Sequence, residues 1–545
     1  MLTYSPVAAK PKRKDRPWLL FVMVLIWIGG ATFFHSPWEP YEPYVVAIVK
    51  SIVKTNSWLV PYISPGTPYL ELQPFYFWLY ALIIKLFNFT DVANAIRLMN
   101  TGIILLTLFI LGKIGSGLSA FKNGRSVVMI MISTIGFINN AYQLSPNLII
   151  LLGFSLYFWS LQNSIKMPGI SGGVLAIGLL LISINFTAEY LLIALIMLIL
   201  LPIVDRQWKQ SAYFLTLITG FAIFSMIFGS YGWQLNKVNH EFFAQWISKY
   251  SQVVNFNSSI FTNILFYFQT LLWYLIPGWI LALWTLYKRR GQILRDPILK
   301  LSLIFIGLLF FFAVISGHHD ESVIFPIIIP VVFIASVEID TIRISIVSWL
   351  NWFSIFAFGA GGLAVIILYF TLNSGYPQDL LAKAQFYAPQ YVFDFNFWQV
   401  LLALLITAIW VFMVTRKHIR GREMVSNWAS GTTFCLVLFI SLCLPWFDSV
   451  LSFKDIVDSS RPYLDRSKNS CIATNEVNRV QSAIWYYFAD IRLQPVENFA
   501  TSSKCNQALI SVYPDSSNTS YPDWHVIWSN KRPVDFKRYM LLERN

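Results

Sequence analysis

Uninterrupted apolar runs recur from one end of this 545-residue chain almost to the other. A run of about 18 or more apolar residues is long enough to cross a bilayer as a helix, and lipid tolerates only spanning segments that satisfy their own backbone. Composition agrees, with 56% hydrophobic and 12% charged residues against about 25% charged in an ordinary soluble domain. The runs are continuous and do not alternate, which selects helices over a membrane β-barrel. The sequence therefore predicts an α-helical polytopic membrane protein of about thirteen transmembrane helices.

The predicted spans fall near 18–34, 93–112, 126–141, 148–161, 169–184, 190–204, 212–230, 262–287, 301–316, 323–337, 344–371, 397–414 and 431–444. The first follows Lys10, Lys12, Arg13, Lys14 and Arg16, with no small-residue cleavage site behind it, so it reads as a retained helix with a cytoplasmic N-terminus. Alternate loops then collect the basic residues: Lys113, Lys122 and Arg125; Lys166; Arg206 and Lys209; Lys288 to Arg295; Arg343; and Arg416 to Arg422. This is the positive-inside pattern, and it accounts for much of the net charge of +13. No basic stripe interleaves with aromatics on a soluble domain, so the charge does not predict a nucleic-acid partner.

One apolar segment, 74–87, breaks the alternation if it spans. It is short and suits a helix lying against the outer surface, as does the amphipathic stretch 45–53. From about residue 446 charges become evenly spaced and the apolar runs stop. The reading is a transmembrane domain over 1–445, with a first outer loop at 35–92, and a small soluble α/β domain over 446–545 on the outer, periplasmic side. Within the latter, 507–513 and 523–528 read as strands and 479–488 as a helix. Of the four cysteines, Cys435 and Cys443 lie in the last span, whereas Cys471 and Cys505 fall in the exported domain. The latter two are a disulfide candidate, with two unrelated buried thiols as the alternative.

Polar residues concentrate on the predicted outer side. They are Glu39, Glu42, Lys50, Lys54 and Glu71 in the first loop, then Ser145 and Asn147, Thr187 and Glu189, Lys237, His240, Glu241 and Lys249, and finally His318, His319, Asp320 and Glu321. Ionisable groups at the membrane edge point to function when the bundle gathers them around one cavity; the alternative is that outer loops are simply where charges reside. The run His318-His319-Asp320-Glu321 suggests a divalent metal, but adjacent ligands on a short turn rarely face one ion and no third histidine is suitably spaced. No cofactor is predicted, and a loop that orders on substrate or holds phosphate through its histidines fits better.

The first loop carries the specific signal. It reads Ser36-Pro37-Trp38-Glu39-Pro40-Tyr41-Glu42-Pro43-Tyr44, then Ser57-Trp58-Leu59-Val60-Pro61, then Pro68-Tyr69-Leu70-Glu71 and Tyr76-Phe77-Trp78. It resembles the bacterial aminoarabinose transferase family of the GT-C superfamily, to which the protein O-mannosyltransferases are related. The family pattern is roughly W-x-P-D-E-x-R-Y, G-D-W-L-V-P and Y-F-E-K-P-P-L-Y-Y-W. By spacing, its catalytic aspartate falls on Tyr41, the next glutamate on Glu42 and its arginine on Tyr44. Tyr69 and Glu71 match, and the following lysine falls on Leu72. A later aspartate falls on Ser145, and a T-K-G element on Thr187-Ala188-Glu189.

The resemblance implies an inverting sugar transfer from a polyprenyl-phosphate donor, at the outer face of a bacterial inner membrane, to lipid A, another glycolipid or a protein. That chemistry needs a carboxylate to orient or deprotonate the acceptor and cations to hold the departing phosphate. The expected acid is Glu42 or Glu39. Expected substrate contacts are Tyr41, Tyr44, Tyr69, Glu71, Lys50, Lys54, Arg97, His318 and His319. Phe75 to Trp78 would offer sugar or lipid a surface, or form an interfacial aromatic belt. The departures at Tyr41 and Leu72 keep open a GT-C-fold protein that has lost catalysis and binds a lipid-linked glycan or a partner. A lipid-linked sugar transporter or glycan ligase is a further alternative.

Overall fold

The computed structural model describes residues 17–29, 35–87, 91–118, 123–185, 187–252, 259–293, 295–389, 391–415, 422–464, 471–475, 479–496, 505–513 and 523–545. The basic N-terminal cluster, Lys122, Arg416, Lys417 and Arg420 lie outside them.

Among the described residues six helices are long and apolar enough to cross a membrane: Val92–Leu118, Ser211–Val238, Pro297–Ser316, Ile344–Ser374, Phe397–Thr415 and Glu423–Leu451. Ile218, Phe356 and Phe412 point outward from them, each more than half exposed. Such a surface is stable only where the solvent is itself apolar. The stretch predicted as one span at 262–287 is instead a bent pair, Ile260–Tyr274 and Gly278–Lys288, turned by 98°. Pro277 stands at the bend, and its missing N–H and ring prevent a continuous helix. The predicted span at 126–141 is likewise divided, into Gly124–Ser133 and Ile135–Ala141, by an extended backbone at Thr134. Other apolar segments form shorter helices such as Pro168–Ile182 and Glu189–Val204. Where Asn147–Asn163 crosses Pro168–Ile182 the backbones touch: a Cβ on Gly153 would lie 3.0 Å from the Gly178 carbonyl, and one on Gly178 equally close to that of Gly153. Close approach at small residues is how helices associate when burial from water cannot drive them together.

The segment predicted to lie on the surface at 45–53 belongs to a covered helix, Glu42–Thr55. Val46, Ala47, Ile48 and Val49 are all fully buried. The helix packs on Pro74–Phe87 and Val92–Leu118 of the bundle and on Val480–Ala489 of the C-terminal domain. A short antiparallel hairpin follows it, with strands β1 (Tyr62–Ser64) and β2 (Thr67–Pro68).

The long helix Arg422–Leu451 runs through residue 446 and ends at Leu451. Beyond it lie β3 (Ile472–Thr474), the helix Val480–Ala489, β4 (Leu493–Pro495), β5 (Gln507–Val512), β6 (Trp524–Asn530) and β7 (Arg538–Arg544), in a sheet ordered β4-β3-β5-β7-β6. β3 is parallel to β4 and β5, whereas β7 is antiparallel to both β5 and β6. Trp485 from the helix packs with Leu493, Leu509 and Leu541 from the sheet, none of them exposed. Cys471 and Cys505 are joined by a disulfide with a Cα separation of 4.8 Å.

Candidate active site

Several connecting segments converge on one cavity of about 280 Å³. Tyr41, just before the Glu42–Thr55 helix, forms one wall, and Tyr69, Glu71 and Leu72, after the hairpin, form the next. Asn147, Asn185 and Glu189 come from two helix entries, Asp320 and Ser322 from the turn after Pro297–Ser316, and Lys249 from the end of His240–Tyr250. Each is placed by local structure. Gly317 adopts the left-handed conformation (φ 62°) that ends its helix and turns the chain toward Asp320. Asp320 then caps the following turn, its Oδ1 accepting from the Ser322 N–H at 2.8 Å. Phe242, Trp246 and Tyr250 share one buried face of the His240–Tyr250 helix, which fixes the direction of Lys249. The Ala188 N–H donates to the Tyr250 carbonyl at 3.0 Å, tying the Lys249 and Glu189 walls together.

Within the cavity the Tyr69 hydroxyl donates to Glu71 Oε2 at 3.3 Å, and Lys249 Nζ stands 3.7 Å from Glu71 Oε1. Tyr44 does not line the cavity but backs it, its ring 5.4 Å from that of Tyr69. Burial, then the nearby Asp320 carboxylate, raises the Tyr41 hydroxyl above its ordinary pKa. The cavity thus presents neutral phenols, three carboxylates and a lysine. Leu72 occupies the place of the expected lysine, and Lys249 brings an ammonium group to the same wall from a distant helix.

The two expected acids are not in this cavity. Glu42 is 2% exposed and fully engaged. Its Oε1 accepts from the Leu144 N–H at 3.1 Å; its Oε2 accepts from the Trp38 N–H at 3.1 Å and from Arg97 at 3.2 Å. Burial and Arg97 push His35 down to about 3, so this histidine, 4.0 Å from Glu42, is neutral and Arg97 supplies the positive partner. Glu42 therefore holds the Tyr41 segment against the turn that leads to Asn147. The carboxylate is closed off from the cavity, paired with Arg97 and hydrogen-bonded on both oxygens, so its contacts are those of a node that holds the segments together. Glu39 is turned the other way and meets Arg532 of the C-terminal domain at 3.0 Å.

The expected phosphate cations are also committed elsewhere. Lys50 donates to the carbonyls of Tyr486 and Tyr487 at 3.0 and 2.9 Å, and Lys54 meets Asp490 at 2.8 Å. Both clamp the first-loop helix to the C-terminal domain. Arg97 is buried against Glu42 and the His35 carbonyl. Lys50 and Arg97 border a separate, more open cavity of about 650 Å³ beside Lys454 and Asp448. His318 pairs with Glu189 at 3.4 Å, and that pairing raises its pKa against the opposing effect of burial. His319 hydrogen-bonds Asn263 at 2.5 Å and stacks on Phe266. Among the described residues no three His, Cys, Asp or Glu side chains are grouped to hold a metal ion.

No family model matches the sequence, and no curated protein matches it. Solved structures do match, over nearly the whole length. ArnT from Cupriavidus metallidurans bound to undecaprenyl phosphate superposes with a TM-score of 0.70 at 14% identity, covering 96% of this chain and 98% of that one. The apo state of the same protein gives 0.68 at 15% identity with the same coverage. The chain has the fold of these ArnT structures. The resemblance read from the first loop thus extends to the whole architecture, including the C-terminal domain.

Proposed function

We propose that this chain is a membrane glycosyltransferase that moves a sugar from a polyprenyl-phosphate carrier to a glycolipid, such as lipid A, or to a protein. The observation that carries the reading is the cavity. Tyr41, Tyr69 and Glu71 of the first loop meet Lys249 and Asp320 there, inside a fold shared with a protein that binds undecaprenyl phosphate. The reaction breaks the bond between the anomeric carbon and the phosphate oxygen, so negative charge grows on the phosphate. Lys249 is the cavity ammonium group able to meet it, and its pairing with Glu71 is loose at 3.7 Å. Tyr41, Tyr69 and Asn147 offer hydroxyl and amide groups to the sugar. In this reading the cavity faces the periplasm, the C-terminal domain lies on that side, and the N-terminus is cytoplasmic in a bacterial inner membrane.

The test is direct. Full-length protein in lipid nanodiscs receives a panel of undecaprenyl-phosphate pentoses and hexoses with a membrane extract as acceptor, and released undecaprenyl phosphate is measured by mass spectrometry. The reading expects release from at least one donor, dependent on acceptor. Tyr41 and Leu72, standing where the family has an acid and a base, favour a second reading in which the site binds the carrier without chemistry. That outcome would appear as saturable binding with no release from any donor.

A further inference from the structure

Three carboxylates line the cavity, and their surroundings differ. Glu71 accepts from the Tyr69 hydroxyl on one oxygen and faces Lys249 at 3.7 Å with the other, the place of a counter-charge to the ammonium group. Glu189 is 4% exposed and paired with His318, too enclosed to meet an incoming acceptor. Asp320 is half-buried at the cavity wall, and only its Oδ1 is engaged, by the Ser322 N–H. Among the described residues nothing hydrogen-bonds its Oδ2. The capping bond fixes the side chain's orientation and leaves one oxygen available. Asp320 shares the wall with Tyr41, the position at which the first loop has no acid.

We propose that Asp320 is the base for the acceptor, supplying from the turn after Pro297–Ser316 the carboxylate that position 41 lacks. The inference rests on the transferase reading. In the step, Asp320 Oδ2 takes the proton from the acceptor hydroxyl or amine. The acceptor's electron pair forms the new bond to the anomeric carbon as the bond from that carbon to the phosphate oxygen breaks. The released pair stays on the polyprenyl phosphate beside Lys249, and the proton on Asp320 passes to solvent or to the phosphate. No oxidant or further reactant is required. The influence of Asp320 on the Tyr41 hydroxyl shows the carboxylate acting on the part of the cavity where the acid is missing.

The informative variant is Asp320→Ser, because serine keeps an oxygen for the Ser322 N–H and removes only the carboxylate. In the nanodisc assay it is expected to lower transfer by about 100-fold or more, with undecaprenyl phosphate binding and thermal unfolding as in the wild type. Adding Tyr41→Asp to that variant is expected to recover about tenfold, by returning an acid to the same wall. Transfer by Asp320→Ser within about threefold of wild type overturns the assignment and leaves the transferase reading standing. A parallel loss of binding and transfer, without recovery by Tyr41→Asp, makes Asp320 a structural residue and also overturns it. Absence of release by the wild type from every donor defeats the transferase reading itself, and the base with it.

Discussion

Tyr41 and Glu42 are neighbours in sequence and belong to regions of opposite character. Glu42 sits in a closed node with Arg97, His35 and two backbone N–H groups, where every polar atom of the carboxylate has a partner. Tyr41 faces an open cavity in which carboxylates and a lysine from distant segments meet. The node resembles an active site by composition, and the cavity resembles one by geometry. On the proposed assignment the acid retained in the motif serves architecture, and the chemistry passes to a group on another loop.

The largest expected effect that would break this contrast is on stability. Glu42→Ala leaves Arg97 buried without its counter-charge and two N–H groups without acceptors. Removing one partner of a buried pair costs about 3–5 kcal/mol, so the variant is expected to unfold at a clearly lower temperature and to yield less folded protein. Normal melting with a selective loss of transfer would return Glu42 to the chemistry. A smaller effect sharpens the other side of the comparison. Lys249→Ala is expected to weaken undecaprenyl phosphate binding about tenfold, or about 1.4 kcal/mol, with Lys249→Arg retaining most of it; native mass spectrometry reads both.

The smallest effect is pH-dependent. His318 gains a partner in Glu189, and its folded pKa is raised above the ordinary 6.5. Its stabilising contribution is fully present below that ordinary value and is lost as pH rises through the raised one. The side chain is a third exposed, so solvent screening keeps the contribution below about 1 kcal/mol. Melting temperature is expected to fall slightly across that window in the wild type and not in His318→Gln.

Much of the fold was legible because lipid imposes long apolar runs and the first-loop motif is dense in Trp, Pro and Tyr. The stretch from Val45 reads as a surface helix because Lys50 and Lys54 follow its apolar run; its burial comes from the packing of Val480–Ala489, distant in sequence, against it. The bend at Pro277 was visible as a proline, but its 98° angle depends on how neighbouring helices pack. The candidate site was half legible. Tyr41, Tyr69 and Glu71 followed from the motif. Asp320 and Lys249 stood among the outer polar residues, but nothing in their local sequence separates them from His319 or Lys54, which the fold uses elsewhere. That separation is decided by Gly317, by the buried face of the His240–Tyr250 helix and by Asp490 across the domain boundary.

The most direct test is a cryo-electron microscopy structure of the full chain with undecaprenyl phosphate bound in nanodiscs. The account predicts phosphate density within about 4 Å of Lys249 Nζ, beside Tyr41 and Asp320, with Glu42 still bonded to Arg97. Phosphate held instead by Lys50 and Arg97 in the more open cavity, or Glu42 released from Arg97 to meet the ligand, would contradict it.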